Sequence, residues 1–117
     1  MCLDELAKKY DLYHYTLGDV HLRYNCYRFT GLPQTENAAL IWYNSNDLDK
    51  YAVCSTLALL DNVLFYRGKK IFYDVDEIDK FIEDNIIPQY KSLLKEYKKR
   101  MVDYKLNEIN GDFDDIQ

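Results

Sequence analysis

The C-terminal part of the chain carries apolar residues at the spacing of an amphipathic helix. After Pro88 the apolar positions recur at intervals of four, three, four and three residues: Tyr90, Leu94, Tyr97, Met101 and Tyr104. These intervals place side chains along one face of an α-helix. At about 1.5 Å of rise per residue, the helix is on the order of 30 Å long, enough to cross a small domain. The rest of the chain therefore has to supply a surface for a long apolar stripe.

Two runs of β-branched and aromatic residues precede this helix and are separated by Gly68. Since glycine takes the positive φ of a tight turn without strain, the two runs predict a β-hairpin over 63–73. The acidic residues that follow predict a helix start, with Asp76 as the N-cap. We expect this first helix to end near Asn85, because the residue before Pro88 is driven away from helical geometry.

Upstream of the hairpin the sequence pattern predicts four elements. Residues 1–9 have the apolar spacing of a short helix, which we expect to end around 13–15. Alternating apolar and polar residues predict a strand over 20–30. The apolar run 38–43 fits either a buried strand or a helix, and we favour the strand. Polar N-cap residues and two apolar faces predict a largely buried helix over 44–60.

These elements add up to one α+β domain. We expect a small antiparallel sheet with a β-hairpin (63–73), flanking helices and a long C-terminal amphipathic helix, all within residues 1–111. Residues 112–117 are acidic and predict a flexible tail. A chain of 117 residues with 48% hydrophobic and 30% charged content suits a single core of this kind.

Charge and cysteine content limit which cellular environments and which partners suit the chain. The formal net charge is −5 and the isoelectric point about 4.9, which disfavours a general binder of nucleic acid or anionic membranes. The charge is uneven, because residues 74–84 hold six acids against one base while residues 88–105 hold six bases against two acids. Three cysteines without a Cys-x-x-Cys pair, and no signal segment, predict a reduced, cytoplasmic protein. No apolar run approaches the ~20 residues of a membrane span, so we expect no membrane partner.

The sequence carries no recognisable catalytic or cofactor motif, such as a phosphate-binding loop, a dinucleotide fingerprint or a nucleophile elbow. His14 and His21 could join Cys26 or Cys54 at zinc, but isolated residues of these types are more often core or surface residues. The spaced aspartates within 74–79 lack the glycine and distal glutamate of a calcium loop, so helix capping is the better interpretation. We therefore assign no catalytic, cofactor-binding or metal residues. An enzyme with an unrecognised acid/base site is the least favoured alternative.

The favoured hypothesis is a non-enzymatic protein-binding regulator or inhibitor that acts by surface complementarity. Abundant Tyr, Lys, Asn and Ile are typical of low-GC bacteria and their phages, and phages and mobile elements encode small proteins of this kind. Tyrosine offers a large contact area and a hydroxyl group at low entropic cost, and this chain has twelve. The expected contact residues for a partner protein are Tyr90, Lys91, Lys95, Tyr97, Lys98 and Tyr104. The same near-heptad stripe would also suit a homodimer through the C-terminal helix.

The segment from the hairpin into the next helix has a distinctive order of residue types. Residues 68–73 read Gly-Lys-Lys-Ile-Phe-Tyr, a glycine turn with two basic residues. Residues 77–82 then read Glu-Ile-Asp-Lys-Phe-Ile. This order resembles the wing and following helix of excisionase-type and MerR-like winged-helix proteins, and 35–39 and 45–52 are loosely similar to that family's first helix and recognition helix. The resemblance covers about residues 35–82. It implies DNA binding as the alternative function, with these residues on a wing in the minor groove: Arg67, Lys69 and Lys70.

Overall fold

In the part of the chain that the structure describes, seven strands lie between a short N-terminal helix and a long C-terminal one. The computed structural model describes the backbone of residues 1–116 and the side chains of residues 1–103. In chain order the elements are α1 (Leu3–Lys9), β1 (Tyr13–Gly18), β2 (Arg23–Arg28), β3 (Ile41–Asn44), β4 (Tyr51–Val53), β5 (Thr56–Leu60), β6 (Val63–Arg67), β7 (Lys70–Phe72), α2 (Val75–Phe81), a π-helical turn (Ile82–Ile86) and α3 (Ile87–Ile116). The side chains of Tyr104 and of the predicted tail at 112–117 lie outside the described residues.

The strands form two antiparallel sheets. The larger sheet has the order β1-β2-β3-β4-β7, and the smaller one joins β5 to β6. The prediction of an α+β fold, with a small antiparallel sheet, hairpins and a long C-terminal helix, is confirmed. β3 confirms the strand interpretation of 38–43 for 41–43, whereas 38–40 lie in the preceding loop, and α1 confirms the short helix within 1–9.

The larger sheet has one face covered by helices and one open face. Strand register aligns Tyr27, Ile41 and Val53 on the helix-covered face, where they are buried with Leu6 of α1. The helical layer contributes three fully buried isoleucines to the same core: Ile78, Ile82 and Ile86. The opposite face, called the open face below, carries one residue from each strand in register: Tyr15, Cys26, Trp42, Ala52 and Ile71. Successive side chains of a strand point to opposite faces, so each central strand supplies both.

Polar contacts fix α1 against α2. Lys9 Nζ lies 3.0 and 3.1 Å from the two carboxylate oxygens of Asp79, and the Tyr10 hydroxyl group donates to the same carboxylate. Helix α2 begins after Asp74, which is extended and accepts a 3.2 Å hydrogen bond from the backbone N–H of Asp76. The prediction of Asp76 as the N-cap is therefore wrong, because the earlier aspartate already has the extended backbone that a cap requires.

The helical layer continues through Pro88 without a break. Helix α2 passes into the π-helical turn and then directly into α3, so the prediction of a helix end near Asn85 is wrong. In a regular helix a proline ring collides with a carbonyl group of the preceding turn, and the wider π-helical turn removes that collision. Ile87, directly before the proline, keeps helical angles of φ −59° and ψ −43°.

The predicted helix over 44–60 is wrong, since a turn, β4 and β5 occupy this segment. Its apolar residues belong to two sheets, so consecutive residues such as Val53 and Cys54 are both buried. In the sequence, such neighbours look like the two apolar faces of a buried helix. Asp61 and Asn62 follow with positive φ angles of 51° and 64°. Two successive positive φ angles are the geometry of the tight turn that joins β5 to β6.

The strands of the predicted hairpin over 63–73 are present, but each pairs with a different strand. β6 pairs with β5, and β7 pairs with β4. Gly68 has the expected positive φ, +75°, and a Cβ atom there would lie 1.9 Å from Ser55 Oγ. The chain therefore passes close to itself at Gly68 and crosses from the smaller sheet to the larger one instead of turning back.

A hairpin near the N-terminus replaces the predicted single strand over 20–30. β1 occupies the residues at 13–15 where we expected a helix end, and β2 begins only at Arg23. Val20 lies in the turn and is 85% exposed. The strand begins later than the alternation indicates because Asp19 accepts hydrogen bonds from two backbone N–H groups of the turn and so stabilises it.

Asp79 couples the contact between α1 and α2 to pH. Burial opposes ionisation of this carboxyl group, but hydrogen bonds from Tyr10 and Lys9 outweigh it and hold its pKa below the ordinary value. The ionised group stabilises the fold above its ordinary pKa, and this contribution is lost as the pH falls through the lowered pKa. We expect Asp79→Asn to reduce the free energy of unfolding by about 1 kcal/mol at pH 7 and by less at pH 3, measured by urea unfolding at both pH values.

Glu77→Gln is the matched control, because Glu77 is an exposed carboxylate on the same helix. This control variant should unfold close to the wild type at both pH values. An Asp79→Asn effect of equal size at pH 7 and pH 3 would contradict the link between the carboxylate and stability.

Candidate functional site

A groove lies on the open face, between the larger sheet, β6 and the loop at 35–39. Its volume is about 480 Å³, and its apolar lining consists of Leu17, Tyr24, Cys26, Trp42, Phe65 and Tyr66 with two alanines of the loop. Thr35 and Asn37 add polar side chains. A cleft with a largely apolar lining and a few polar groups suits an apolar or aromatic ligand group.

A second groove of about 290 Å³ adjoins the first and shares Tyr24 and Trp42 with it. Its charged lining residues are Asp47, Lys50 and Lys69. Trp42 is the single tryptophan of the sequence, and Tyr24 is 36% exposed. Tryptophan and tyrosine are enriched at the energetic centres of protein interfaces, so this shared pair forms the centre of the candidate site. The two grooves together are called the aromatic groove below.

Two tyrosine hydroxyl groups hold the loop beside the groove. Tyr15 donates to the carbonyl group of Ala38, and Tyr66 donates to Gln34 Oε1. The Tyr66 oxygen also accepts a 3.0 Å hydrogen bond from the backbone N–H of Phe29. Burial raises the pKa of both phenols, to about 12 for Tyr15, so both remain protonated donors near neutral pH. The wall of the groove is therefore formed in advance, which lowers the entropic cost of binding.

The lining of the larger groove carries no side chain that is charged near neutral pH. None of its ten lining residues is Asp, Glu, His, Lys or Arg. Burial raises the pKa of the Cys26 thiol, so little nucleophilic thiolate is present near neutral pH. The lining can therefore cover apolar surface and exchange a few hydrogen bonds with a ligand.

The histidines and cysteines considered as zinc ligands do not form a metal-binding group. The His14 ring stacks on Tyr27, with ring centroids 4.7 Å apart, and its Nε2 lies 3.0 Å from Asn25 Oδ1. Cys54 is fully buried, and burial raises its pKa to about 12. Among the described side chains, no three or more His, Cys, Asp or Glu groups come together as ligands.

The predicted contact residues on α3 divide into an inward and an outward set. Tyr90 stacks on Phe29 with ring centroids 3.9 Å apart, and its oxygen accepts a 3.0 Å hydrogen bond from the backbone N–H of Gly31. Tyr97 is half-buried against the core. The outward set, called the lysine ridge below, is exposed and makes no ion pair with another described side chain: Lys91, Lys95 and Lys98. No helix in the described part of the chain is both long enough and apolar enough to cross a membrane.

The basic residues of the DNA-binding alternative lie together around Gly68. Arg67, Lys69 and Lys70 are all exposed. The Lys70 ammonium group lies over the Phe81 ring, 5.0 Å from its centroid, whereas Lys69 lines the smaller groove. The segment at 45–52, which the winged-helix resemblance matches to a recognition helix, forms a turn and the start of β4.

The sequence interpretation missed Tyr24 and Trp42 as site residues. The alternation over 20–30 and the apolar run 38–43 predict strands and give neither residue a role at a surface. The sequence does hold one signal for Trp42. Side chains alternate between the two faces of a strand, so if Ile41 is buried in the core, Trp42 has to lie on the opposite face. Which face would remain open depends on where the helices pack, and that information is not local.

Tyr90 should act mainly as a packing residue. Tyr90→Ala removes the stacking on Phe29, and we expect the free energy of unfolding to fall by about 2 kcal/mol, less than for a fully buried aromatic residue. Tyr90→Phe should cost about 1 kcal/mol or less, since it removes only the hydrogen bond to Gly31. Tyr73→Ala, at a 70% exposed position, is the control in the same denaturant titration. Equal midpoints for Tyr90→Ala and wild type would show that the stacking contributes nothing.

The three thiols should differ sharply in reactivity. Cys2 is exposed, whereas Cys26 and Cys54 are 2% and 0% exposed. Burial also raises the pKa of both inner thiols, which leaves less thiolate to react. With a chromogenic disulfide reagent at pH 7.5, we expect one equivalent to react rapidly and two to react only on unfolding. The rapid phase should vanish in Cys2→Ser, and two rapid equivalents would contradict the burial of the groove thiol.

Comparison of the chain with known proteins leaves the function to be inferred from this site. No protein-family model matches the sequence. No curated protein and no solved structure shows significant similarity to it either.

Proposed function

We propose that this chain is a non-enzymatic protein-binding regulator or inhibitor, of the kind that phages and mobile elements encode, which acts in the cytoplasm by surface complementarity. The observation that carries the proposal is the aromatic groove on the open face. Its centre is a tyrosine and the only tryptophan, on two strands of the larger sheet, and tyrosine hydroxyl groups already hold the loop beside them in place. Aromatic residues in a preformed cleft are typical of surfaces that anchor a partner protein.

The groove chemistry favours one type of occupant. An apolar or aromatic side chain of the partner fits the larger groove, because the lining there is apolar and without charge. In the lining of the smaller groove Lys50 and Lys69 outnumber Asp47, so an acidic residue next to that anchor would find a net opposite charge. We therefore expect a partner segment that combines an aromatic anchor with a neighbouring carboxylate.

The lysine ridge is the second proposed contact surface. Its three ammonium groups are exposed along one line of α3, and an acidic partner surface would complement them. Such exposed charges mainly accelerate association and depend on salt, whereas an aromatic anchor in a cleft mainly slows dissociation. The two surfaces can therefore be separated by experiment.

Partner capture tests the proposal. Tagged wild-type protein and the variants Tyr24→Ala and Tyr73→Ala are used to capture proteins from a low-GC bacterial lysate, with and without nuclease. We expect a stoichiometric partner that survives nuclease, is retained by Tyr73→Ala and is lost with Tyr24→Ala, because only Tyr24 lies in the groove. With the purified partner, binding should reduce the quenching of Trp42 fluorescence by acrylamide, since the occupied groove shields the indole ring.

Other outcomes would contradict the groove or the function. A partner retained by Tyr24→Ala but lost when Lys91, Lys95 and Lys98 are changed to alanine would move the site to the lysine ridge. Capture of nucleic acid that nuclease abolishes, and that is lost when Lys69 and Lys70 are changed to alanine, would favour the DNA-binding alternative.

A further inference from the structure

The free edge of β1 is a feature that neither the aromatic groove nor the lysine ridge explains. β1 is the outermost strand of the larger sheet and pairs on one side only, with β2. Each of the other sheet edges in the described part of the chain is either short or has a backbone N–H group that already bonds outside its sheet. At β5 the Leu57 N–H donates to Gln89 Oε1 at 3.0 Å, and at β6 the Leu64 N–H donates to the carbonyl group of Pro33 at 2.8 Å. β7 has only three residues and begins with a lysine.

The turn after β1 determines which backbone groups face the free edge. The Asp19 N–H donates to the carbonyl group of Leu22 at 3.1 Å, which closes the hairpin. In an antiparallel pair, residues alternate between exchanging hydrogen bonds with the partner strand and pointing these groups away. The odd-numbered residues of β1 therefore bond to β2. The N–H and C=O groups of His14, Thr16 and Gly18 point outward, and all three residues are exposed.

β1 lacks the features that usually prevent an edge strand from pairing. Proteins protect such edges with charged residues, proline, bulges or very short strands. β1 has six residues, Tyr-His-Tyr-Thr-Leu-Gly, and contains no Lys, Arg, Asp, Glu or Pro. Six residues is also a typical length for a strand in a globular protein. The edge is therefore open to an extended polypeptide, the one type of ligand that matches a row of alternating donors and acceptors.

We infer that β1 pairs with β1 of a second copy of this chain, antiparallel, about a two-fold axis at Thr16. Even-numbered residues face outward, so they have to oppose one another across the new pair. With the axis at Thr16 all three of them, His14, Thr16 and Gly18, oppose an outward residue of the second copy, whereas an axis at any other residue of the strand pairs at most two. In this register Thr16 opposes the partner subunit's Thr16, and Tyr15 opposes the partner subunit's Leu17. Threonine pairs and aromatic–aliphatic pairs are favourable across antiparallel strands, and no like charges face each other over the five paired residues, 14–18.

This pairing would extend the candidate site. The two-fold axis is perpendicular to the sheet, so both open faces lie on the same side of one continuous sheet. Leu17 lines the aromatic groove, and the second copy would place its own Tyr15 beside it. The inference is independent of the proposed function, because it rests on the sheet edge and not on a partner in the groove.

Oligomeric mass as a function of concentration tests the inference. We use sedimentation equilibrium on the full chain between 10 μM and 1 mM, because pairing of a single strand buries less than a standard interface and gives a weak dimer. Wild type and Thr16→Val should both rise from 14.0 kDa towards twice that mass, since valine keeps the backbone N–H and the branched side chain. Thr16→Lys alone and Thr16→Glu alone should remain monomeric, because like charges then meet at the axis. An equimolar mixture of the two should dimerise again, which also shows that both variants are folded.

Three results would overturn the inference. The first is a wild type that stays monomeric to 1 mM. The second is a dimer that persists in Thr16→Lys alone, which would assign association to another surface such as the C-terminal helix. The third is a mixture of Thr16→Lys and Thr16→Glu that fails to restore the dimer, because charge pairing at the axis is specific to this register.

Discussion

Three buried isoleucines attach the helical layer to the sheet, and the rest of the structure depends on that attachment. Ile78, Ile82 and Ile86 follow one another at intervals of four residues through α2 and the π-helical turn, and each is fully buried. Burying a side chain of this size contributes about 1.5–3 kcal/mol relative to exposure. A sheet needs a second layer over one face to form a core, and here α1, α2 and the turn supply it. The direction in which α3 leaves the domain follows from the same contact.

Core and candidate site are two sides of the same strands. On β2, Tyr27 points into the core and Cys26 into the groove, and on β3 Ile41 and Trp42 divide in the same way. A partner that contacts Trp42 therefore touches a strand whose position the core already fixes. Rigid elements hold binding side chains more accurately than loops do, and the loop at 35–39 beside the larger groove is held by Tyr15 at Ala38 and, at the adjacent Gln34, by Tyr66.

Local sequence patterns predicted the type of three elements. The helix within 1–9, the strand at 38–43 and the long C-terminal helix have strong periodicity or clear boundaries, and the α+β class follows from them. The segment 44–60 failed because its strands enter two different sheets and leave apolar residues on both faces. The helix end near Asn85 failed because tertiary burial of Ile82 and Ile86 favoured a π-helical turn over a break. The aromatic groove could not be predicted, since Tyr24, Trp42 and Phe65 converge only through the order of the strands.

The π-helical turn also determines which way the lysine ridge faces. Such a turn holds one residue more than a regular helical turn, so it acts as a single-residue insertion in an otherwise continuous helix. If the same five residues wound as a regular α-helix, everything after residue 86 would rotate by about 100° around the helix axis, because the wide turn absorbs one residue's rotation. Tyr90 would then turn away from Phe29, and Lys91, Lys95 and Lys98 would move to a different side of the domain. Deletion of one residue between 82 and 86 would instead restore regular winding and leave the lysine ridge on its present side, so the turn lets the chain hold one extra residue without moving the charged surface of α3.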